Sequence, residues 1–158
     1  MGGRLMIMNK ISNNAKVSAI VLNYNGAHLL PDCLQSLQEQ MYKNLEIIVV
    51  DNASIDNSRQ VAESYEGVRF LQLDRDYGIS VANNEGAREA EGEHLFIVNN
   101  DVRLDRECIF HLVKEIKKSP DIFAVDATQY DWEGTKIINR GWKFRRTGFI
   151  RGIFPFLL

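Results

Sequence analysis

Residues 94–105, HLFIVNNDVRLD, decide how this chain is read. Leu95, Phe96, Ile97 and Val98 run without a polar break and stop at Asn99, Asn100 and Asp101. A run this short, rich in β-branched and aromatic residues, predicts a strand buried on both faces of a parallel sheet. The polar triplet then falls at the strand's carboxyl end, where open α/β sheets bind ligands. That position makes Asp101 a candidate carboxylate for a metal or phosphate site. It equally suits an aspartate that only forms a turn or caps a helix, so the surrounding chain has to decide.

Upstream, residues 17–22 (VSAIVL) read as a first strand ending in the turn cluster Asn23-Tyr24-Asn25-Gly26. A helix follows, with Leu30, Cys33, Leu34, Leu37 and Met41 at helical spacing and Pro31 tolerated in its first turn. Residues 45–50 (LEIIVV) form a second strand, ending on Asp51-Asn52-Ala53-Ser54. Asp56 is the expected N-cap of a short helix that turns Val61, Ala62 and Tyr65 inward and stops at Gly67. A third strand spans 68–73. The loop 74–78 leads into a small-residue helix over 79–90, carrying Ala82, Gly86 and Ala87.

Downstream, Asp105 is expected to cap a helix with Ile109, Leu112, Val113 and Ile116 inward, and residues 122–127 to form a fifth strand. Four strand–helix alternations in a row predict an α/β fold, a mostly parallel sheet flanked by helices. Residues 1–16 read as a flexible leader and 17–128 as the core.

Composition restricts the functions available. The chain has 158 residues, 45% of them apolar and 25% charged, enough for one domain with a proper core. A net charge of −2 gives no global electrostatic case for nucleic acid. The two cysteines, Cys33 and Cys108, lie on apolar helix faces without metal-ligand spacing, as buried thiols do. No apolar run approaches the ~18 residues needed to cross a bilayer, and residues 5–8 are too few for a signal-peptide core. The expectation is a cytoplasmic protein.

Three strands end in polar clusters: Asn-Tyr-Asn, Asp-Asn and Asn-Asn-Asp. In a parallel sheet ordered 3-2-1-4 these ends share one edge, with a crevice where the winding reverses between strands one and four. Each cluster alone is ordinary turn chemistry. There is no Walker loop with its lysine and no GxGxxG after the first strand. A serine elbow is also absent, and His28, His94 and His111 lack metal spacing. Amides and carboxylates remain. They suit hydrogen bonds to a base and ribose, with a hard cation held by one carboxylate, phosphate oxygens and water.

The segments VSAIVLNYNG (17–26), CLQSL (33–37), LEIIVVDNASIDNS (45–58), DYGISVANNEG (76–86) and EGEHLFIVNNDV (91–102) occur in this order and spacing. Together they resemble the inverting, nucleotide-sugar-dependent glycosyltransferases of family 2, whose fold is the Rossmann-like GT-A fold of nucleotide-diphospho-sugar transferases. The 78–86 segment is most similar to the rhamnosyltransferase-like branch.

By this resemblance Asp51 accepts a hydrogen bond from the nucleotide base, with Asn23, Asn25 and Asn52 lining the same pocket. Asn99, Asn100 and Asp101 occupy the place of the family's D-x-D motif. Asp101 matches its last carboxylate, which implies Mg2+ or Mn2+ on the donor diphosphate. Asn99 replaces the first aspartate, leaving one carboxylate. Asp76 stands where the family often has asparagine before its loop glycine, here Gly78. Asn84 and Gly86 match an Asn-x-Gly element expected to shape the loop beside the sugar-phosphate.

The implied activity is transfer of a sugar from a UDP-, dTDP- or GDP-sugar to a saccharide or lipid-linked acceptor hydroxyl, in polysaccharide or glycan synthesis. Inversion needs a general base, which the family carries in its second half. Here no acidic residue follows Glu133, and Asp126, Asp131 and Glu133 match no such context. The catalytic base is therefore unknown. The expectation is a truncated, donor-binding portion, with residues 129–158 beginning an incomplete acceptor-side region.

That region is basic and aromatic, with Trp142, Phe144, Phe149, Phe154 and Phe156 among arginines. It reads either as part of an acceptor-side subdomain or as a surface for the inner face of a membrane. Self-association through it is a further expectation. A non-catalytic nucleotide-binding or interaction module would share every donor-side residue. A receiver-like signalling domain would need acidic residues where Asn23 and Asn25 stand. A nucleotidyltransferase would need a basic glycine loop in place of residues 25–28.

Overall fold

The computed structural model describes residues 14–145 and 148–150. Its central sheet has four parallel strands: β1 (Val17–Asn23), β2 (Leu45–Asp51), β3 (Val68–Gln72) and β4 (His94–Asn99). Their order is β3-β2-β1-β4, so the winding reverses between β1 and β4, which is the condition the shared crevice requires. In register Asn23 stands beside Asp51, and Leu22 beside Asn99. The three polar strand ends therefore do share one edge.

Alternation along the strands splits the core into two layers. Val17, Ala19, Val21, Ile47 and Val49 face three helices: α1 (Leu30–Gln38), α2 (Ser58–Glu63) and α4 (Cys108–Ile116). Leu30, Leu34, Leu37, Ala62, Ile109 and Val113 of those helices close that layer. Ile20, Ile48 and Val50 face α3 (Gly78–Glu89), which covers them with Ala82. Fully burying one of these aliphatic side chains contributes about 1.5–3 kcal/mol.

β4 departs from the expectation that it is buried on both faces. Val98 is buried and Phe96 packs against the α1 layer, but Leu95 and Ile97 are 47% and 54% exposed. The reason is lateral reach: α3 lies across β1 and β2, and β4 pairs with β1 alone. A run of four apolar residues has the same appearance whether one face or both are covered.

The expected fifth strand forms as β5 (Ile122–Val125), yet it does not extend the parallel sheet. It starts a separate antiparallel sheet with β8 (Lys143–Arg145) and β9 (Gly148–Ile150), while β6 (Thr128–Tyr130) pairs with β7 (Ile137–Arg140). An ion pair of 2.9 Å between the largely buried Glu115 and Lys143 ties α4 to β8. Phe144 packs on Phe123, and Trp142 is half-buried. These parts of the basic aromatic segment are thus folded. Phe154 and Phe156 lie outside the described residues.

Residues 1–13 of the expected leader also lie outside the described residues. Packing starts before Val17, because Ala15 is buried with its carbonyl accepting the Tyr42 hydroxyl. Both cysteines are free and buried, and burial pushes their thiols up to about 12. Among the described residues no helix is long and apolar enough to cross a membrane.

Candidate functional site

At the carboxyl edge the loop after β1 and the loop after β2 are joined around one buried carboxylate. Asp51 has no exposed surface. Its Oδ2 accepts from Asn23 Nδ2 at 2.8 Å and from Ser54 Oγ at 2.6 Å, and its Oδ1 accepts from the Ser54 N–H at 2.8 Å. An ionised carboxylate can only accept, so the Asn23 amide must turn its NH2 toward Asp51 and its oxygen away. That oxygen takes the Asn100 amide at 2.6 Å. The ends of β2, β1 and β4 are thereby linked in one directed chain, Asn100 to Asn23 to Asp51.

Ser54 is a hub that the motif pattern does not single out. Besides donating to Asp51, its hydroxyl accepts the Asn25 N–H at 2.7 Å and faces Asn23 Nδ2 at 3.3 Å. Asn25 returns the contact, its Oδ1 accepting the Ile55 N–H at 3.0 Å. Asp56 adds a second tie by accepting from the Ala27 N–H at 2.9 Å and from the Ser58 N–H at 3.0 Å. It thus serves the start of α2 as expected, although Asn57 is the residue at the cap position. The only sequence signal for Ser54 is its place three residues after Asp51, where a hydroxyl can return to a carboxylate.

Two residues here hold left-handed backbone: Asn25 at φ +48° and Ala53 at φ +67°. Asparagine tolerates this conformation, but alanine carries about 1–2 kcal/mol of steric cost there. The network around Ser54 over-determines the loop and holds Ala53 in place, a pattern that clusters at ligand sites.

The third loop is pinned to the same edge. Asn52, 5% exposed, donates to Asp76 Oδ1 and accepts the Tyr77 N–H at 3.0 Å. Asp76 also accepts the Gly78 N–H at 2.8 Å. Gly78 has φ +76°, where a side chain would be strained, so the glycine is set by the turn into α3.

The structure therefore gathers Asn23, Asn25, Asp51, Asn52, Asp76, Gly78 and Asn100 into one hydrogen-bonded rim. Asp51 anchors that rim from below. Asn99 and Asp101, both exposed, complete it at the end of β4. Asp101 lies close enough to Cys33 that its charge adds to the upward push on that thiol. Asn84 and Gly86, expected to shape the loop beside the sugar-phosphate, are helical residues, as the small-residue pattern of 79–90 predicts. They sit within α3, with Asn84 exposed and Gly86 buried against Ile20 and Val50. The Asn-x-Gly spacing at these positions is used for helix-to-sheet packing.

Gly26 is a second residue not foreseen. A Cβ added there would fall on the Asn100 side-chain amide and 2.6 Å from Asn23 Oδ1. Gly26→Ala is expected to expel the Asn100 side chain and break its hydrogen bond to Asn23, costing about 0.5–1.5 kcal/mol. Urea unfolding reads the cost, and the Asn100 side-chain NH2 resonances should move to solvent-exposed values. Unchanged resonances would refute the packing account.

Comparison with known proteins places this geometry. The family model described as Glycosyl transferase family 2 matches residues 18–156. The glycosyltransferase GlyG of Streptococcus pneumoniae serotype 4 is 27% identical over 89% of this chain and 56% of its own length. The poly-beta-1,6-N-acetyl-D-glucosamine synthase of Staphylococcus epidermidis is 27% identical over 69% of this chain and 27% of its own. The chain thus spans about half, or less, of the length of these relatives.

Among solved structures, the mannosyltransferase PcManGT from Pyrobaculum calidifontis, in complex with GDP-Man and Mn2+, aligns with a TM-score of 0.64. It is 30% identical over 69% of this chain and 34% of its own. S. aureus TarS 1–349 in complex with UDP aligns with a TM-score of 0.61 and 28% identity, over 65% of this chain and 32% of its own. These neighbours are GT-A glycosyltransferases, and a mostly parallel sheet flanked by helices is the architecture of this chain. With the family model covering nearly its whole length, the chain belongs to glycosyl transferase family 2.

Proposed function

We propose that this chain binds the donor in a glycosyl transfer. It holds a nucleoside diphosphate sugar along the carboxyl edge of β1, β2 and β4, for inverting transfer to an acceptor hydroxyl in cell-surface polysaccharide or glycan synthesis. The observation that carries this reading is the directed chain Asn100–Asn23–Asp51, which fixes three strand ends as one rim with exposed Asp101 at its end. Support comes from the relatives: PcManGT was solved with GDP-Man and Mn2+, and TarS with UDP.

A divalent cation, Mg2+ or Mn2+, fits the donor set on Asp101. Among the described residues that carboxylate accepts no hydrogen bond. No group of three His, Cys, Asp or Glu side chains surrounds it there either. Hard cations take about six oxygens, so diphosphate and water would supply the remainder. When bound, the cation neutralises charge on the leaving diphosphate.

The chain's own residues do the positioning. Asp51 and Ser54 lock the loops after β1 and β2, Asn52 and Asp76 hold the loop before α3, and Asn99 and Asp101 face the donor. Inversion also needs a base for the acceptor proton. Asp126 accepts from Asn139 Nδ2 at 2.8 Å, and Asp131 accepts the Thr135 N–H at 2.7 Å. Both are committed to holding the β6–β7 hairpin, so neither is assigned that role.

Thermal denaturation with UDP, dTDP and GDP, each with and without Mn2+, tests the reading. One nucleotide should stabilise the fold, by about 2.7 kcal/mol at a hundredfold excess over Kd, and Mn2+ should enlarge the shift. Asp101→Ala should keep the ligand-free midpoint and lose the Mn2+ increment. The reading fails if no nucleotide stabilises the wild type, or if the variant responds to Mn2+ as the wild type does.

A further inference from the structure

Helix α1 buries apolar side chains against the sheet, yet three buried polar residues share its inner side. They are Cys33, Ser36 and, just past the C-cap Glu39, Gln40. They fall three and four residues apart, the spacing of one helix face. The Gln40 N–H donates to the Leu37 carbonyl at 3.3 Å, which carries the turn past the helix end. All three meet the segment that follows β4, and that segment bears Asp101. We propose that Ser36 and Gln40 are positioning residues for Asp101: with Cys33 they clamp residues 99–109 against α1 and set where a cation on that carboxylate sits. The inference rests on the donor reading above, because a ligand held at Asp101 is what makes the loop's placement matter.

The contacts run in step along both segments. The Cys33 thiol, pushed up to about 12 by burial first and the Asp101 charge second, stays protonated and donates to the Asn99 carbonyl at 3.6 Å. Ser36 Oγ donates to the Cys33 carbonyl at 2.8 Å and accepts the Leu104 N–H at 3.1 Å. Gln40 Oε1 accepts the Ile109 N–H at 3.1 Å. Its Nε2 therefore donates to the carbonyls of Asp105 at 2.7 Å and Ser36 at 3.1 Å. Ile109 lies in the first turn of α4, where helix amides have no partner inside the helix. Gln40 thus caps α4 from a different element.

The clamped segment is not regular structure. Residues 102–105 are neither helix nor strand, and a segment without its own ladder must find backbone partners elsewhere. Buried side chains of the α1 region supply them. Exposure alternates along the segment: Val102 and Leu104 pack into the α1 layer, while Asp101, Arg103 and Asp105 face outward. Holding the Leu104 N–H and the Asp105 carbonyl therefore fixes which way Asp101 points. Ser36 is 6% and Gln40 1% exposed. Polar groups so deeply buried are costly unless hydrogen-bonded, and a side chain serving only to fill the core would need none.

Thermal denaturation with UDP, dTDP or GDP, whichever stabilises the fold, titrated with Mn2+, tests the assignment. Ser36→Ala and Gln40→Met should each raise the Mn2+ concentration that gives half of the midpoint increment by about tenfold, the lower end for groups supporting a metal ligand. Both should keep the shift that the nucleotide gives without metal. Ile48→Val opens a small cavity in the layer under α3, on the sheet's other face. It should lower the midpoint and leave the Mn2+ response as in the wild type. Amide hydrogen exchange of the ligand-free chain gives a readout without metal. Leu104 should lose protection in Ser36→Ala while Ile20 and Val49 keep theirs. If Gln40→Met does not fold, Ser36→Ala decides. The assignment is overturned if Ser36→Ala answers Mn2+ as the wild type does, if Ile48→Val loses the response equally, or if Leu104 stays protected. A wild type that answers neither nucleotide nor Mn2+ refutes the donor reading itself and takes the assignment with it.

Discussion

Asp51→Asn should cost about 1–3 kcal/mol of stability, although the substitution is isosteric. The carboxylate accepts three hydrogen bonds in a place with no exposed surface, from Asn23 Nδ2, Ser54 Oγ and the Ser54 N–H. An amide at this position brings an NH2 group against at least one of these donors. Asn23 cannot simply turn its own amide over, since its oxygen is needed by Asn100 Nδ2. A buried donor left unpaired costs about 1–3 kcal/mol, and the amide orientation that opposes only the Ser54 N–H sets the range. Urea unfolding gives the magnitude.

The mechanism has a sharper test than the single variant. Asn23→Asp combined with Asp51→Asn restores the polarity. The carboxylate introduced by the first change then accepts from the amide introduced by the second and from the Asn100 amide, and the Ser54 hydroxyl is free to rotate. The double variant should recover more than half of the stability lost on Asp51→Asn. Simple addition of the two single costs would mean that the directed chain does not govern the site.

The succession of strands and helices is legible in the sequence because each strand is a short apolar run closed by amides or carboxylates, and each helix shows inward spacing; the lateral order β3-β2-β1-β4 comes from the structure. The same pattern places the polar strand ends on a shared edge. Three things escape it. The exposure of Leu95 and Ile97 depends on how far α3 reaches across the sheet, which a strand's own residues do not encode. The strands β6 to β9 are three or four residues long, too short for alternation to register.

The inward turn of Asp51 is the third. A residue at a strand's end can face the crevice or the core, and the choice is made by Asn23 and Ser54 on neighbouring segments. The segments that carry the family resemblance contain Asn23, Asn52, Asp76 and Asn100, which the fold does bring into one neighbourhood. The helix over 79–90 that carries Asn84 and Gly86 is legible from its small residues, and the structure bears it out as α3.

Gly86 yields the second large effect, and there two principles oppose each other. It lies inside α3, where replacing glycine by alanine ordinarily gains about 1 kcal/mol of helix propensity. A Cβ at this position would stand 2.6 Å from Ile20 Cγ2 and 2.7 Å from Val50 Cγ2. Both neighbours are buried β-branched side chains of β1 and β2, stiff at χ1, so neither can swing aside. Overpacking of this kind costs typically about 1–3 kcal/mol, occasionally more.

The clash outweighs the propensity, and Gly86→Ala should destabilise the chain by up to about 2 kcal/mol net. The alternative to strain in the sheet is displacement of α3 itself. That helix begins at the Tyr77–Gly78 turn held by Asn52 and Asp76, so moving it carries the third loop away from the rim. Gly86→Ala should therefore weaken nucleotide binding while leaving Asp101 untouched. Ile20→Val in the same chain removes a methyl group and should return part of both losses. A variant that is more stable than the parent, as helix propensity alone would have it, would show that α3 does not pack on the sheet at Gly86.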